Sequence, residues 1–143
     1  MILFKDIRLR TFSFLIITLI TGLLYSKYRY SVSWLNQELG GIFYVIFWCL
    51  FAFLFIPSRR TVWQIPLWVL TITCLLEFLQ LWKTPFLDYL RSFWWGKMVL
   101  GNVFNWADFP YYFIGSGLGW LGLKMIWNVK DKHKNKPGNE FPV

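Results

Sequence analysis

The stretch that decides the fold runs from Glu77 to Gly119 and reads EFLQLWKTPFLDYLRSFWWGKMVLGNVFNWADFPYYFIGSGLG. Its ionisable side chains interrupt an otherwise apolar sequence and include two acids on apolar segments, Glu77 and Asp108. Charged groups at membrane depth are costly, and they usually face the interior of a helical bundle with a polar partner. The stretch therefore predicts where a polar site lies in a chain that is apolar elsewhere.

The composition places the chain among membrane proteins. Of its 143 residues 57% are hydrophobic and 22% aromatic, and the mean hydropathy is +0.45, which is too apolar for a soluble domain of this size. The net charge of +8 comes from Lys and Arg at the edges of apolar runs, where they face phospholipid headgroups. Membrane lipids are thus the expected partners. Nucleic acid is not, because no basic stripe with interleaved polar and aromatic residues lies outside the apolar segments.

Four apolar segments, each near the roughly 20 residues needed to cross a bilayer, predict an all-α membrane protein with four transmembrane helices. The spans are expected at about 9–26, 39–56, 62–82 and 106–124, within one transmembrane domain of residues 1–128. A polar connector is expected between the first two spans. Residues 129–143 are predicted to be a basic, disordered cytoplasmic tail. The basic N-terminus lacks an Ala-x-Ala-like cleavage site before Ala52 and is interpreted as an uncleaved signal anchor.

A short helix is predicted between the third and fourth spans. Thr84 is suited to cap a helix that starts at Pro85, and Phe86 and Leu90 then fall on one side. Such a helix would lie in the interface or re-enter the bundle. Gly96 and Gly101 are expected to break helical regularity before the last span.

The distribution of basic residues predicts the orientation. Ten of the 15 Lys and Arg residues belong to the N-terminus, the loop at 57–60 and the C-terminal tail, and five to the other side. The positive-inside rule places both termini in the cytoplasm, with the protein in the inner (plasma) membrane. The polar stretch after the third span then faces outward.

Two helix faces carry the candidate site. On the third span, polar side chains recur at helical spacing: Thr73, Glu77, Gln80 and Thr84. On the fourth span the same spacing gives polar and then small residues: Asp108, Tyr112, Gly115 and Gly119. These faces suit close packing around a buried polar cluster, with Gly115 and Gly119 at the helix contact. We predict that Glu77 and Asp108 meet at the guanidinium of Arg91. Gln80 and Tyr112 belong to the same predicted cluster.

Structural interpretations compete with a ligand site. Asp108 lies near a helix start, where a carboxylate caps the helix and is favoured by its dipole. A pair of Glu77 with Arg91 would also serve merely to fix the fold. Asp88 and Arg91, three residues apart, are equally compatible with a surface pair.

Signals for catalysis are few. The only histidine, His133, lies in the basic tail on the other side of the membrane from the acids, so no histidine nucleophile and no metal site is predicted. No cofactor is expected either. Two carboxylates alone suit a divalent cation or acid/base chemistry, but their spacing does not select either over a salt bridge. Cys49 and Cys74 are expected to pack as small hydrophobes.

The order Glu77-x-x-Gln80, then Arg91, then GxxxxGxxFxWxDxxxYxxGxxxG from Gly96 to Gly119 resembles a family of small bacterial membrane proteins, the domain of unknown function twenty-eight-oh-nine. It is also distantly similar to VanZ-like proteins. The resemblance implies an integral membrane protein of four to five helices, with Glu77, Gln80, Arg91 and Asp108 as its site positions. VanZ itself is linked to tolerance of teicoplanin at the cell envelope.

Three functions are compatible with these features. The first is binding of an envelope lipid or a lipid-linked precursor through the outward-facing polar cluster. The second is an enzyme that modifies a lipid headgroup with Glu77 or Asp108 as general base. The third is a small carrier that moves a proton or ion through Glu77.

Overall fold

A computed structural model describes residues 2–28, 33–100 and 104–134, and all of its regular structure in these residues is helical. The all-α prediction is therefore confirmed. The helices are α1 (Ile2–Lys27), α2 (Ser33–Phe55), α3 (Thr61–Leu81), α4 (Pro85–Ser92), α5 (Trp94–Leu100) and α6 (Asp108–Lys134).

Helices α2 and α6 form the centre of the bundle, with α1 packed on α2 and α3 packed on both α6 and α2. The central pair runs parallel, because Gly41 of α2 lies near Tyr112 and Cys49 lies near Gly119. Helix α3 runs antiparallel to α6. The short helices α4 and α5 lie between them in sequence, at the end of the bundle where α3 ends and α6 begins.

Small residues allow the central pair to approach closely. A Cβ atom at Gly115 would lie 3.0 Å from the carbonyl oxygen of Ile42, and one at Gly119 would lie 2.9 Å from Sγ of Cys49. The two glycines are four residues apart and so fall on the same face of α6. Their missing side chains leave room for the backbone of α2.

The bundle buries small polar side chains and exposes large apolar ones. Thr11, Thr73 and Ser116 are buried, and each hydroxyl donates to a backbone carbonyl; the hydroxyl of Ser116 reaches across from α6 to Pro66 of α3 at 3.0 Å. The outer face of α3, in contrast, is built of exposed large residues: Trp63, Leu67, Trp68, Ile72, Leu75 and Phe78.

Within the described residues, two helices are long and apolar enough to cross a membrane, over Phe4–Tyr25 and Thr61–Leu81. The apolar part of α2, Leu39–Phe55, is shorter. Length and composition thus support membrane-spanning character for two helices. The arrangement with four spans stays a prediction.

The structure extends three helices beyond their predicted bounds. Helix α1 begins at Ile2, seven residues before the predicted first span. Helix α2 begins at Ser33, so the second half of the expected polar connector is helical; residues 29–32 lie outside the described part. Helix α6 continues to Lys134, so residues 129–134 are helical and not part of a disordered tail. The reason is that no helix-breaking residue occurs after the apolar segment until Pro137. The rest of the predicted tail lies outside the described residues.

Two helices occupy the place where one was predicted. Thr84 caps α4 as expected, since its Oγ1 accepts a 3.4 Å hydrogen bond from the amide of Leu87, and Pro85 is the first helical residue. The expectation that Gly96 breaks helical regularity is wrong, because Gly96 lies inside α5, while Gly101 lies outside the described residues. The absent side chain of Gly96 serves another purpose: a Cβ there would overlap the carbonyl oxygen of Leu90, so glycine permits the tight corner between α4 and α5.

Candidate functional site

Glu77 is the centre of the candidate site. It lies one turn before the end of α3, and only 1% of it is exposed. Its Oε1 accepts a hydrogen bond from the backbone amide of Asn105 at 3.0 Å. Its Oε2 accepts one from Nε2 of Gln80 at 3.0 Å and one from the hydroxyl of Tyr112 at 2.9 Å. One buried carboxylate therefore joins α3, the segment before α6, and α6 itself.

The partners of Glu77 are neutral. In the described part of the chain, no Lys, Arg or His forms an ion pair with this carboxylate. Both of its oxygens act as acceptors in these hydrogen bonds. Burial of a carboxylate is costly unless it is paired or hydrogen-bonded, and here hydrogen bonds take that role. The carboxyl group has no cationic partner among these residues.

Asn105 holds the segment that faces Glu77. Its side-chain oxygen accepts from the amide of Ala107 at 3.2 Å, and its Nδ2 donates to Oδ1 of Asp108 at 3.2 Å. Its carbonyl accepts from the amide of Asp108 at 3.1 Å. This turn fixes the start of α6 and directs the amide of Asn105 at Glu77. Asp108 is linked to Glu77 through Asn105. It is the first residue of α6, and this is the position at which a carboxylate is favoured by the helix dipole.

The structure does not bring Arg91 to the two carboxylates. Its Nη2 donates to the carbonyl of Leu79 at 3.1 Å, and its Nη1 lies 3.3 Å from Oδ1 of Asp88. The prediction of a guanidinium shared by Glu77 and Asp108 is therefore wrong. The reason lies in the end of α3, where backbone carbonyls lack helical partners and the helix dipole favours a cation. The pair of Arg91 with exposed Asp88 is the surface pair considered from the sequence.

A pocket of about 180 Å³ lies beside Glu77. Four helices contribute to its lining, namely α2, α3, α5 and α6: Gly40, Gly41, Tyr44, Thr73, Leu76, Glu77, Gln80, Val99 and Tyr112. The hydroxyl of Tyr44 donates to the carbonyl of Val99 at 3.3 Å and so ties α5 to α2 at this point. The side-chain oxygen Oε1 of Gln80 is buried, and no donor from the described residues reaches it.

The sequence-predicted residues thus fall into two groups. Glu77, Gln80 and Tyr112 lie in contact and line the pocket. Asp108 joins them through a turn, and Arg91 lies elsewhere. Their role in binding a ligand stays a prediction, as do the enzyme and carrier alternatives.

Three contributions were missed from the sequence. The amide of Asn105 is a backbone donor that side-chain patterns do not reveal, although an Asn three residues before Asp108 at a helix start is typical of such a turn. Tyr44 and Val99 carry no sequence signal that links them to Glu77. Within the described residues, no group of three or more His, Cys, Asp and Glu side chains comes together for a metal ion.

Comparison with known proteins identifies a family. The model of the family described as "Protein of unknown function (DUF2809)" matches residues 30–116, more than half of the chain. That region contains every residue that lines the pocket. Neither the curated proteins nor the solved structures contain a significant match to the chain, and the similarity to VanZ-like proteins stays a prediction. The buried Glu77 and its pocket lie in the part of the sequence that the family model matches, and the chain belongs to the DUF2809 family.

Proposed function

We propose that the protein is a multi-pass membrane protein that binds the headgroup of an envelope lipid, or of a lipid-linked precursor, in the pocket beside Glu77. In this proposal α1, α2, α3 and α6 are the four spans. Both termini lie on the cytoplasmic side of the inner membrane, and the pocket faces outward.

The burial pattern supports a membrane environment. In the apolar windows of α1 and α3, only 17% and 28% of the residues are buried inside the structure. The core helix of a soluble protein would be mostly buried, whereas these helices expose large apolar surfaces. The buried positions of the bundle include Thr11, Thr73, Glu77 and Ser116. Hydrocarbon outside and polar groups inside are what a bilayer requires.

Exposed aromatic residues support a position at headgroup level for the end that holds the pocket. They cluster at the end of α3, on α4 and α5 and just before α6: Trp82, Phe86, Tyr89, Trp94, Trp95 and Trp106. Such residues are enriched at membrane–water interfaces. The pocket is built from the same end, since Gln80 and Val99 belong to its lining. A headgroup is the part of a lipid that lies at this depth.

One observation carries the proposal: a pocket that contains a buried, hydrogen-bonded carboxylate and a buried acceptor without a donor. Structural polar clusters usually satisfy all of their members. Here Oε1 of Gln80 has no donor in the part of the chain that the structure describes. A ligand with hydrogen-bond donors would complete the cluster.

Native mass spectrometry of the full chain, extracted from membranes in a mild detergent, tests the proposal. Gly40 lines the pocket, and no atom lies within 4 Å of a Cβ there, so Gly40→Leu adds bulk at the pocket lining without a clash. Gly117 has the same free space but lies outside the pocket lining, so Gly117→Leu is a matched control. We expect a bound lipid on the parent chain and on Gly117→Leu, and its loss from Gly40→Leu. The same lipid occupancy in all three proteins would overturn the proposal.

A further inference from the structure

We propose that the pocket beside Glu77 recognises a primary ammonium group, so that its ligand is an aminoalkyl headgroup of the ethanolamine type. This inference rests on the proposed function and adds the chemical class of the ligand. It follows from the charge, the acceptors and the size of the pocket.

The charge of the lining selects a cation. Glu77 contributes a carboxylate, and none of the other described residues that line the pocket is Lys, Arg or His. Arg91 does not belong to this lining: its Nη2 binds the carbonyl of Leu79 and its Nη1 lies against Asp88, while its Nε is buried without a partner among the described residues. A phosphate in this pocket would meet a like charge without a compensating group. An ammonium group would supply the cation that the buried carboxylate lacks.

The free acceptors match the donors of a primary ammonium group. A carboxylate offers about four acceptor positions, and three on Glu77 are occupied. Oε1 of Gln80 is unpartnered among the described residues. Tyr44 donates its proton to Val99 and accepts from the indole of Trp48, which leaves one lone pair on its oxygen. The Gln80 amide cannot simply be reversed, because Oε1 would then face an oxygen of Glu77. The lining thus offers acceptors on three side chains, and an ammonium group carries three N–H donors.

The same acceptors disfavour a quaternary ammonium group. A trimethylammonium has no N–H donor and would leave Oε1 of Gln80 buried without a partner. The rings of Tyr44 and Tyr112 would attract both cations and do not distinguish them. The pocket volume is about 180 Å³. A cavity of about 150 Å³ already accommodates benzene, so an aminoethyl group, which is smaller than benzene, fits in the pocket.

Titration of the delipidated full chain by native mass spectrometry tests the inference. The probes are phosphatidylethanolamine, phosphatidylcholine and phosphatidylglycerol with identical acyl chains, and free ethanolamine in parallel. We expect phosphatidylethanolamine to bind at least about tenfold more tightly than the other two lipids, as expected for one charge-assisted hydrogen bond. We also expect Glu77→Gln to remove this preference. The exposed acid Asp88, at the same end of the bundle but outside the pocket lining, gives the matched control Asp88→Asn, which should keep it.

A second variant keeps the test decisive if Glu77→Gln does not fold. Gln80→Met retains the carboxylate but removes the unpartnered acceptor. It should reduce the preference for phosphatidylethanolamine over phosphatidylcholine. An unchanged preference would contradict the role of Gln80.

The outcomes separate this inference from the proposed function. Equal binding of all three lipids, lost in Gly40→Leu, would overturn ammonium recognition and leave the headgroup pocket intact. Binding of no lipid, or binding unaffected by Gly40→Leu, would overturn both. If free ethanolamine binds as tightly as phosphatidylethanolamine, ammonium recognition is supported. The ligand is then a soluble amine, which contradicts the proposed function.

Discussion

The hydroxyl of Tyr112 donates a 2.9 Å hydrogen bond to Oε2 of Glu77 and thereby joins α6 to α3 at a buried point of the bundle. Both residues also line the pocket. The contact that holds the two helices together therefore also sets the position of the carboxylate that a ligand would meet. If the proposed function is right, this pair couples the stability of the bundle to ligand binding.

Tyr112→Phe should destabilise the protein by about 1–2 kcal/mol, because it removes one donor from a buried carboxylate while keeping the ring. Unfolding in detergent, followed by circular dichroism, measures the change. Tyr89→Phe is the control, since Tyr89 is exposed on α4 and its ring contact with Phe93 persists. Equal stability of the two variants would contradict the role of the Tyr112 hydroxyl.

Gly115→Ala should destabilise the bundle by about 1–3 kcal/mol, because the new Cβ would press on the backbone of Ile42 and separate α2 from α6. Gly117→Ala should be neutral or stabilising by up to about 1 kcal/mol, since a Cβ there meets nothing and alanine favours the helix. Thermal unfolding of the two variants side by side measures the difference. If Gly115→Ala unfolds at the same temperature as Gly117→Ala, the close packing of the central pair is refuted.

Arg91→Gln should loosen α4 from the end of α3, because the guanidinium is the group that reaches the Leu79 carbonyl. Hydrogen exchange of the α4 amides should speed up in this variant. Asp88→Asn should have a smaller effect, since the exposed pair that it breaks contributes less than about 1 kcal/mol. If Asp88→Asn increases exchange as much as Arg91→Gln, the surface pair and not the carbonyl contact holds α4.

The sequence predicted the elements that depend on local pattern. The long helices follow apolar runs, and the cap at Thr84 follows from a polar residue before a proline. Glu77 and Gln80 were found because residues three apart share a helix face, and Tyr112 because it lies four residues after Asp108. These signals require only knowledge of the helical period.

The remaining contacts depend on groups that a sequence does not display. Arg91 and Glu77 both bind backbone groups, the carbonyl of Leu79 and the amide of Asn105. Opposite charges suggested that Arg91 and Glu77 bind each other, but in the structure each has partners of its own. The pocket also needs Tyr44 from α2, whose place beside Glu77 is set by tertiary packing alone.

The central claim of the proposed function is that the pocket beside Glu77 opens at the outer face of the membrane. Gly40 lines this pocket and is exposed, so Gly40→Cys places a thiol at its entrance. The direct measurement is its labelling in intact cells by a membrane-impermeant maleimide, with the parent chain as background for Cys49 and Cys74. We expect the thiol of Gly40→Cys to be labelled from outside without permeabilisation of the membrane. Labelling only after the membrane is opened, or no labelling at all, would contradict it.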